Sequence, residues 1–403
     1  MWTFSSSYPK DIKMTNADLP FLGRRAMAKS ALFGGASFLL GAQSAARAEG
    51  QAASQDLIRV REFGATGDGR TNDTQAIQRA LDAAGEVRGA VFVPPGVYLC
   101  ADLQMRPSTT LVGVPTWNYR EPGGTVLRLA SGAAKCLINI AGAAGATIDG
   151  LACDGVRLGK GIHGIFLDKS NYGKREDAFR IERCRVAHFT GDGVNLAHVW
   201  CFSVRQSMLA FNGGDGLCLR GWDGFLSDNW FSGNQRAGFG AREENASVTF
   251  TGNRVEWNGQ ENVLITGGDG YQITGNFFDR AGTCGIALRN GRRRCFQMTI
   301  TGNYFKRSGK NADAASYDSS HIFIEGAEGV TCVGNNLHVG RDDGGTGVWS
   351  PAYGIVCKSL ENCVITNNVL HEGALRQLIV DQGGNGDGVV LKDNPGSLFK
   401  PPQ

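Results

Sequence analysis

The 403-residue sequence predicts an all-β solenoid, a parallel β-helix, and two observations support that prediction. From residue 140 onward, short apolar alternations recur at intervals of 20-odd residues; Asp192 and Asp215, for example, open matching segments 23 positions apart. Glycine accounts for 58 residues, about twice its usual share, without a collagen period. Because 42% of the chain is hydrophobic, this composition indicates turn-rich β structure rather than disorder.

Each repeat has two recognisable halves, and both alternate with the period of a half-buried strand. One half is Gly-apolar-x-apolar, seen in full or in part at 164–167, 193–194, 216–217, 238–239, 285–288 and 354–355. The other is apolar-x and then Gly-Asn or Asn-Asn, at 250–253, 273–276, 300–303, 333–336 and 365–368. A fixed period of this size predicts a solenoid of nine or ten coils, whose stacked Asn side chains form a hydrogen-bonded ladder. The Leu spacing of a leucine-rich repeat is missing, and a propeller blade needs about 40 residues.

A different segment precedes the repeats. Residues 72–84 have a helical pattern with Ala76, Ile77, Ala80, Leu81 and Ala84 on one face, and a strand follows at 90–93. Because the open end of a solenoid needs a cover, we expect this amphipathic helix to cap the first coil.

Charge and cysteine content exclude several classes of function. The net charge is only +3, which gives no electrostatic reason to expect nucleic-acid binding. The 11 cysteines include no C-x-x-C pair and no zinc-like spacing, so we interpret them mostly as small core residues.

The N-terminus predicts export by the twin-arginine machinery. Arg24 and Arg25 precede an apolar run at 31–40, too short to span a bilayer, and Ala-Arg-Ala follows at 46–48. We expect cleavage after Ala48, translation from Met1 or Met14, periplasmic or extracellular residence, and no stable membrane insertion of the mature chain. The alternative is a chance arginine pair before an apolar stretch.

The strand alternation predicts a polar ladder on the outside of the coils. The residues after each second apolar position are Asp168, Ala197, Arg220, Arg242, Thr266, Arg289, Glu325, Lys358 and Asp381. Rungs about 4.8 Å apart place like charges together, which is unfavourable unless they bind something. Asp168, Arg220, Arg242 and Arg289 are therefore candidates for binding carboxylates or sulfates, against the alternative of an ordinary solvated face.

Two aspartates lie beside that ladder. Asp192 and Asp215 each precede the Gly of a repeat, so they should lie roughly 5 Å apart at Cβ, where like charges raise one pKa or capture a cation such as Ca²⁺. His163, His198 and Lys169 are the candidates for proton transfer nearby. The alternative is a turn in which the Asp oxygen accepts a backbone N–H.

The segment "VREFGATGDGRTNDTQAIQRALDAAG…GAVFVPPGVYL", residues 60–99, resembles the opening of the pectate-lyase-like superfamily, in particular pectate-lyase-3 and polygalacturonase-related proteins. This resemblance implies a single-stranded right-handed parallel β-helix and, usually, work on a polysaccharide. The predicted organisation is a signal at 1–48, a β-helix at 57–395 (entry motif 57–100, regular coils 140–395) and a tail at 396–403.

Three functions remain open. Residues 190–204 and 214–217 resemble two catalytic segments of polygalacturonases, which implies hydrolysis by Asp192 and Asp215, but Gly216 stands where a second Asp is expected. Ala237-Gly238 replaces His-Gly, and no Arg-x-Lys follows. A lyase needs a cation against the uronate carboxylate and a base, from Lys169, Arg220, Arg242 or His198. A non-catalytic polysaccharide-binding module would instead present aromatic platforms, for which Trp200, Trp222, Trp230 and Trp257 are available.

Overall fold

A computed structural model describes residues 57–309, 312–313, 315–340 and 350–400. The predicted signal at 1–48 and the end of the predicted tail lie outside these ranges. One 3-10 helix (Val60–Phe63) and one α-helix, α1 (Thr74–Val87), lie near the start of a long series of short strands. No helix among the described residues is long and apolar enough to cross a bilayer.

Short strands follow one another along the rest of the described chain. The first are β1 (Leu57–Arg59), β2 (Asp68–Asn72), β3 (Ala90–Phe92), β4 (Gly96–Cys100), β5 (Leu103–Gln104), β6 (Thr110–Val112), β7 (Thr125–Leu129), β8 (Cys136–Asn139), β9 (Thr147–Asp149), β10 (Ala152–Asp154), β11 (His163–Asp168) and β12 (Phe179–Glu182). Next come β13 (Arg185–Ala187), β14 (Val194–Arg205), β15 (Met208–Ala210), β16 (Leu217–Ser227), β17 (Trp230–Ser232), β18 (Phe239–Thr251), β19 (Arg254–Glu256), β20 (Val263–Thr266), β21 (Gln272–Thr274), β22 (Phe277–Asp279) and β23 (Ile286–Arg289). The last are β24 (Cys295–Phe296), β25 (Thr299–Thr301), β26 (Tyr304–Lys306), β27 (Ser320–Glu325), β28 (Ala327–Glu328), β29 (Thr331–Val333), β30 (Asn336–His338), β31 (Tyr353–Lys358), β32 (Val364–Thr366), β33 (Gln377–Asp381) and β34 (Val390–Leu391).

Parallel pairing between successive coils confirms the predicted β-helix. One sheet of 21 strands covers two faces of the coil, because β14, β16 and β18 each continue round a corner with a shift of register. We call the face that carries β8, β11 and the first halves of those three strands the groove face. A second sheet of 11 strands, from β2 to β30, forms the third side, so within the described residues the prediction of nine or ten coils is too low. The coils before residue 140 lack a regular sequence repeat, which is why the repeat pattern misses them.

The core is a stack of apolar side chains, one set from each coil. Helix α1 covers one end of this stack with Ala76, Ile77, Ala80, Leu81 and Ala84, all buried as predicted. In the second sheet Phe231, Phe278 and Phe305 point inward and are fully buried, each contributing about 2 kcal/mol through removal of apolar surface from water. All 11 cysteines are free, and all but Cys201 and Cys218 are buried, in line with their predicted role as core residues.

A ladder of asparagines, buried except for the half-buried Asn394, fixes one turn of successive coils. Its members are Asn229, Asn253, Asn276, Asn303, Asn335, Asn368 and Asn394. The Asn229 N–H and its Nδ2 both donate to Oδ1 of Asn253, at 2.9 and 3.2 Å. The Nδ2 of Asn253 also donates to the Leu226 carbonyl at 2.9 Å. Because an amide both donates and accepts, each rung satisfies its neighbour and the pattern can continue.

Candidate functional site

The groove face brings His163, Asp192 and Asp215 into one column. Backbone bonds join successive rungs at these positions: the Gly164 N–H donates to the Asp192 carbonyl at 3.1 Å, and the Gly193 N–H to the Asp215 carbonyl at 3.0 Å. The predicted register of the two aspartates is therefore confirmed. Their side chains are buried, with Asp192 5% exposed and Asp215 0% exposed.

Asp192 bonds to the scaffold through both of its oxygens. Its Oδ1 accepts the backbone N–H of Asp215 at 2.7 Å, and its Oδ2 accepts Nδ2 of Asn195 at 2.7 Å. Asp192 thus accepts a backbone N–H, as the structural alternative to a catalytic role predicts, but the donor belongs to the next coil and not to the Asp-Gly turn itself. The Asn195 side chain was not among the predicted site residues.

Asp215 is the partner of Arg242. Its Oδ1 accepts the Ala237 N–H at 2.9 Å and Nη2 of Arg242 at 3.2 Å, while Nη1 of Arg242 contacts Oδ2. Gly240 makes this possible, because a Cβ there would lie 2.3 Å from Nη1 and 2.6 Å from Oδ2. Burial lowers the pKa of Arg242, but the attraction of Asp215 outweighs it and leaves the pKa raised.

His163 lies one rung before Asp192 and is neutral in this arrangement. Its Nδ1 accepts the Asp192 N–H at 3.0 Å, which requires that nitrogen to be unprotonated. Burial lowers the pKa of His163, and the nearby Asp192 carboxylate opposes this without cancelling it. The ring also packs against Phe166, with centroids 5.2 Å apart.

The predicted polar ladder is present from Asp168 to Lys358, but the prediction is wrong for Asp381, which pairs with Cys357 and not with Lys358. The arginines of the ladder have different partners. Arg242 binds Asp215, and Arg289 binds Asp318 at 2.7 Å with Glu261 at 3.5 Å. Arg220 is half-buried, and within the described ranges no acceptor is paired with its guanidinium. Asp168, at the start of the ladder, is exposed. Of the predicted arginine strip, Arg220 is thus the member with donors available to a ligand.

The segment 169–178 leaves the coil after β11 and forms a wall beside the groove face. Lys169 anchors it, because its Nζ donates to both carboxylate oxygens of Asp177 at 2.8 Å. Asp177 in turn accepts the Trp200 N–H at 3.0 Å. Lys169 is therefore bound to this segment, and its role in proton transfer stays a prediction.

Tyr172 is the residue of this wall that packs against the coils. Its ring stacks on Trp222 with centroids 3.8 Å apart, and it meets His198 edge-on at 5.2 Å. Burial raises the pKa of Tyr172 to about 12, with Glu244 adding to the rise and Arg220 opposing it. Nε2 of His198 lies 3.8 Å from a Glu244 carboxylate oxygen. Tyr172, His198 and Arg220 form the cluster we call the Tyr–His–Arg site.

The sequence did not identify Tyr172 or Glu244, since neither stands at a repeat position that the pattern can align. The available signal was indirect. The segment between β11 and β12 is longer than a turn and carries Tyr172 among charged residues, which marks it as an insertion beside the groove.

Two tryptophans continue the same wall. Trp200 and Trp222 occupy matching positions on β14 and β16, one rung apart, and both are half-buried. With Tyr172 stacked on Trp222, the wall presents a partly exposed aromatic surface. The other two candidates lie elsewhere: Trp230 on β17 of the second sheet, and Trp257 just after β19.

The residues present fit a Ca²⁺ ion poorly. Calcium takes six to eight oxygen ligands. The carboxylates of Asp192 and Asp215 already accept protein donors, and no group of three or more His, Cys, Asp or Glu side chains able to hold a metal occurs in the described part of the chain. Ca²⁺ binding by the pair stays a prediction, as does proton sharing between the two carboxylates.

The family follows from comparison with known proteins. A model described as a right-handed β-helix region matches residues 136–305 and 242–400, so the chain belongs to that family of parallel β-helix proteins. A second model, described as rhamnogalacturonase A/epimerase, pectate lyase-like, matches residues 57–128, the region of the entry motif. The second match covers the entry motif, in agreement with the resemblance of residues 60–99 to the pectate-lyase-like superfamily.

One curated relative matches a short stretch of the chain. Alginate lyase 7 of Azotobacter vinelandii is 55% identical over 40 residues, which are 10% of this chain and 5% of that protein. The chain thus spans about a twentieth of the curated relatives it matches.

Among solved structures, the A-module of the mannuronan C-5 epimerase AlgE4 of Azotobacter vinelandii has a TM-score of 0.55 at 19% identity, covering 85% of this chain and 100% of that one. The active domain of tailspike protein 2 of bacteriophage CBA120 has a TM-score of 0.62 at 14% identity, covering 77% and 47%. At these identities the likeness establishes the fold alone.

Proposed function

We propose that this protein is an exported lyase that cleaves a uronate-containing polysaccharide along its groove face. The observation that carries this proposal is the Tyr–His–Arg site, where an unpaired cation stands beside a proton donor and a proton acceptor. β-Elimination needs these three functions together, and the names of the relatives, which include a lyase and an epimerase of uronate polymers, support the same substrate class.

The chemistry assigns one task to each residue of the site. Arg220 binds the uronate carboxylate and disperses the charge that develops when the C5 proton leaves. His198 accepts that proton as the C5–H bond breaks and the C4–C5 double bond forms. The C4–O bond breaks at the same time, and Tyr172, protonated because its pKa is about 12, donates its proton to the departing oxygen.

The other predicted site residues have supporting tasks in this scheme. Asp215 holds Arg242 across Gly240, and Asp192 holds the Asp215 backbone, so the pair shapes the groove floor. Arg242 and Arg289 are ion-paired with Asp215 and Asp318, so they line the groove while Arg220 binds the uronate. Asp168 stands exposed at the rim, where it can accept from sugar hydroxyls.

Hydrolysis is supported less well. An inverting hydrolase needs one protonated acid and one carboxylate base flanking the scissile bond, with room for water between them. Asp215 is fully buried and ion-paired, and Asp192 is 5% exposed, so neither carboxylate faces a substrate in this arrangement.

A polysaccharide-binding module is the second candidate, and the aromatic wall favours it. Trp200, Trp222 and Tyr172 are half-buried, and a sugar can pack against the ring surface that the stacking of Tyr172 on Trp222 leaves uncovered, without any chemistry. The two candidates share the groove and the ligand class and differ in whether a bond is broken.

One experiment separates these functions. Purified protein is incubated with a panel of acidic polysaccharides, and ultraviolet absorbance of unsaturated uronate is followed in parallel with reducing ends, with and without chelator. We expect both signals to rise together, and Tyr172→Phe and His198→Asn to lower turnover about 100-fold or more. Arg220→Met should do the same, while Arg205→Met, an exposed arginine on the neighbouring face, is the matched control.

The other outcomes each indicate a different function or a different mechanism. Reducing ends without ultraviolet absorbance identify a hydrolase, and retention of polysaccharide with neither signal identifies a binding module. Loss of activity on chelation supports a metal at Asp192 and Asp215. Full activity of both Tyr172→Phe and His198→Asn would show that the bond is not broken at the Tyr–His–Arg site.

Export and location belong to the same proposal. We expect the precursor to use the twin-arginine route and the mature chain to reside in the periplasm or outside the cell, where polysaccharides are found. Replacing Arg24 and Arg25 by Lys should leave the precursor in the cytoplasm in a fractionation experiment. Normal export of that variant would show that the N-terminal signal is of another kind.

A further inference from the structure

The second sheet carries an aromatic strip that the proposed active site does not use. In β17, β19, β22 and β26 the first residue of each strand points outward, and these residues are Trp230, Arg254, Phe277 and Tyr304. The middle residue of each of these strands is fully buried, which fixes the outward direction of its neighbours. Successive rungs lie about 4.8 Å apart, so the four side chains form a line along the axis of the coil.

The side chains of this strip stack on one another. The Arg254 guanidinium lies 5.9 Å from the Trp230 ring centre and 4.5 Å from that of Phe277. The Phe277 and Tyr304 rings stack with centroids 5.1 Å apart. The rings and the guanidinium are therefore stacked along the coil axis over four coils, and their outer edges form the surface of the strip.

A buried carboxylate holds one end of the strip in place. Glu256 is 5% exposed, and its two oxygens accept the Trp230 indole N–H and the Arg254 Nε, each at 2.8 Å. Both side chains are thereby fixed before any ligand arrives, which lowers the entropy lost on binding.

A loop adds a further aromatic ring at the Trp230 end of the strip. Residues 113–124 cross the second sheet, and the Asn118 carbonyl accepts Nε of Arg185 at 3.0 Å. This brings Trp117 to 6.2 Å from Trp230, centroid to centroid, and leaves Trp117 57% exposed. Tyr304, at the other end of the strip, is 37% exposed.

We propose that this strip, from Trp117 to Tyr304, is a second binding surface for an acidic polysaccharide chain. The class of ligand rests on the proposed function. The shape favours a linear polymer over a protein partner, because the strip is one side chain wide, runs along the coil axis and contains a cation among its rings. The exposed rings of Trp117 and Tyr304 pack against the CH faces of sugars, and Arg254, whose Nε is bound to Glu256, uses its terminal amino groups to pair with their carboxylates. Such a surface holds a long chain while the groove acts on another part of it.

Affinity electrophoresis of the intact protein tests this surface. Migration is compared in gels with and without polygalacturonate or alginate, for the wild type, Tyr304→Ser, Arg254→Met and the double variant Trp230→Ala/Tyr304→Ser. We expect the double variant to bind about tenfold more weakly, with the single variants in between. Glu256→Gln should weaken binding less, since the amide still accepts one of the two donors. The matched control is Phe225→Ala, a ring 51% exposed on another face, which should bind like the wild type.

Turnover separates this inference from the proposed function. If both hold, the double variant keeps its rate on short oligosaccharides and loses efficiency only on long polymer, whereas Tyr172→Phe loses turnover and keeps retention. Retention unchanged in the double variant overturns the strip as a polysaccharide surface, and so does a wild type that no polymer retards. A dimer that the double variant dissociates, seen by sedimentation, would instead show that a second copy of the chain covers the strip. None of these results alters the products that decide the proposed function.

Discussion

The asparagine ladder and the aspartate pair both connect adjacent coils, on two sides of the β-helix and with different chemistry. In the ladder, the Asn229 N–H donates to Asn253 Oδ1 at 2.9 Å. In the pair, the Asp215 N–H donates to Asp192 Oδ1 at 2.7 Å. Both arrangements join adjacent coils through a side-chain oxygen and a backbone N–H.

The difference lies in whether the side chain can also donate a hydrogen bond to the neighbouring coil. An amide also donates, so the ladder extends through seven coils without any charge. A carboxylate only accepts, so the pair stops after two rungs and takes its remaining donors from Asn195 and Arg242. The carboxylate column therefore holds the Arg242 guanidinium at the groove face, while the amide column stays a neutral structural element.

The largest effect is expected from breaking the amide ladder in its middle. Asn253→Leu removes the acceptor of the buried Asn229 N–H and two bonds made by its own Nδ2. An unsatisfied buried donor and the lost bonds should lower the free energy of unfolding by about 3 kcal/mol, measured by chemical denaturation. Asn394→Leu, at the half-buried end of the ladder, is the control and should lose no more than about 1 kcal/mol. Equal losses at both positions would mean that the ladder is not cooperative along its length.

The second-largest effect is expected from removing the charge of Asp215, the last carboxylate of the column. Asp215→Asn keeps an acceptor for the Ala237 N–H but leaves the partly buried Arg242 without its counter-ion, so stability should fall by about 2 kcal/mol. Strand alternation alone does not reveal this ion pair. The double variant Asp215→Asn/Arg242→Met should recover part of the loss in thermal unfolding. No recovery would show that the cost comes from the turn and not from the stranded charge.

A smaller effect is expected one rung earlier. Asp192→Asn can still accept the Asp215 N–H, and the Asn195 amide can rotate to offer its oxygen instead of its nitrogen. We therefore expect a loss of about 1 kcal/mol or less, measured by chemical denaturation. If Asp192→Asn is as destabilising as Asp215→Asn, Asp192 must carry a charge interaction that its present contacts do not include.

The smallest effect is a dependence on pH that only the carboxylate column should have. The pKa of His163 is lowered in the folded chain, so the unfolded chain binds the proton first on acidification. The stability that neutral His163 provides is therefore present above its unfolded pKa of about 6.5 and is lost as pH falls toward the folded pKa. His163→Gln, which keeps an acceptor, should flatten this part of the stability profile, while Asn276→Ala should shift the whole profile without changing its shape. An unchanged slope in His163→Gln would contradict the neutral acceptor role.

Much of the fold could be predicted from the sequence, because each regular coil of a solenoid carries its own short pattern of alternating apolar residues and turn residues. The glycines and asparagines of segments such as 273–276, the apolar face of α1 and the column shared by Asp192 and Asp215 all follow from strand alternation and spacing. The coils before residue 140 escaped the repeat pattern, since their pairing depends on contacts with neighbouring coils and not on a shared motif.

The candidate site could be predicted only in part. Alternation indicated that Arg220, Arg242 and Arg289 share a ladder. The strand register agrees for the last two, because Thr266 pairs with Arg242 on one side and with Arg289 on the other. Alternation could not indicate that Arg242 bends back over Gly240 to Asp215 or that Arg289 pairs with Asp318. Side-chain direction beyond the strand depends on the space that neighbours leave.

What the sequence by itself determined is therefore the repeating part of the protein: strands, turns, ladders and the capping helix, each specified by residues a fixed distance apart. The tertiary structure alone decided which charges are available and what surrounds them. Tyr172 reaches Trp222 and His198 from a segment outside the repeat, and Trp117 reaches Trp230 in the same way. Periodicity can fix the position of a side chain along a strand, but contacts between a loop and a distant coil depend on how the chain packs in three dimensions.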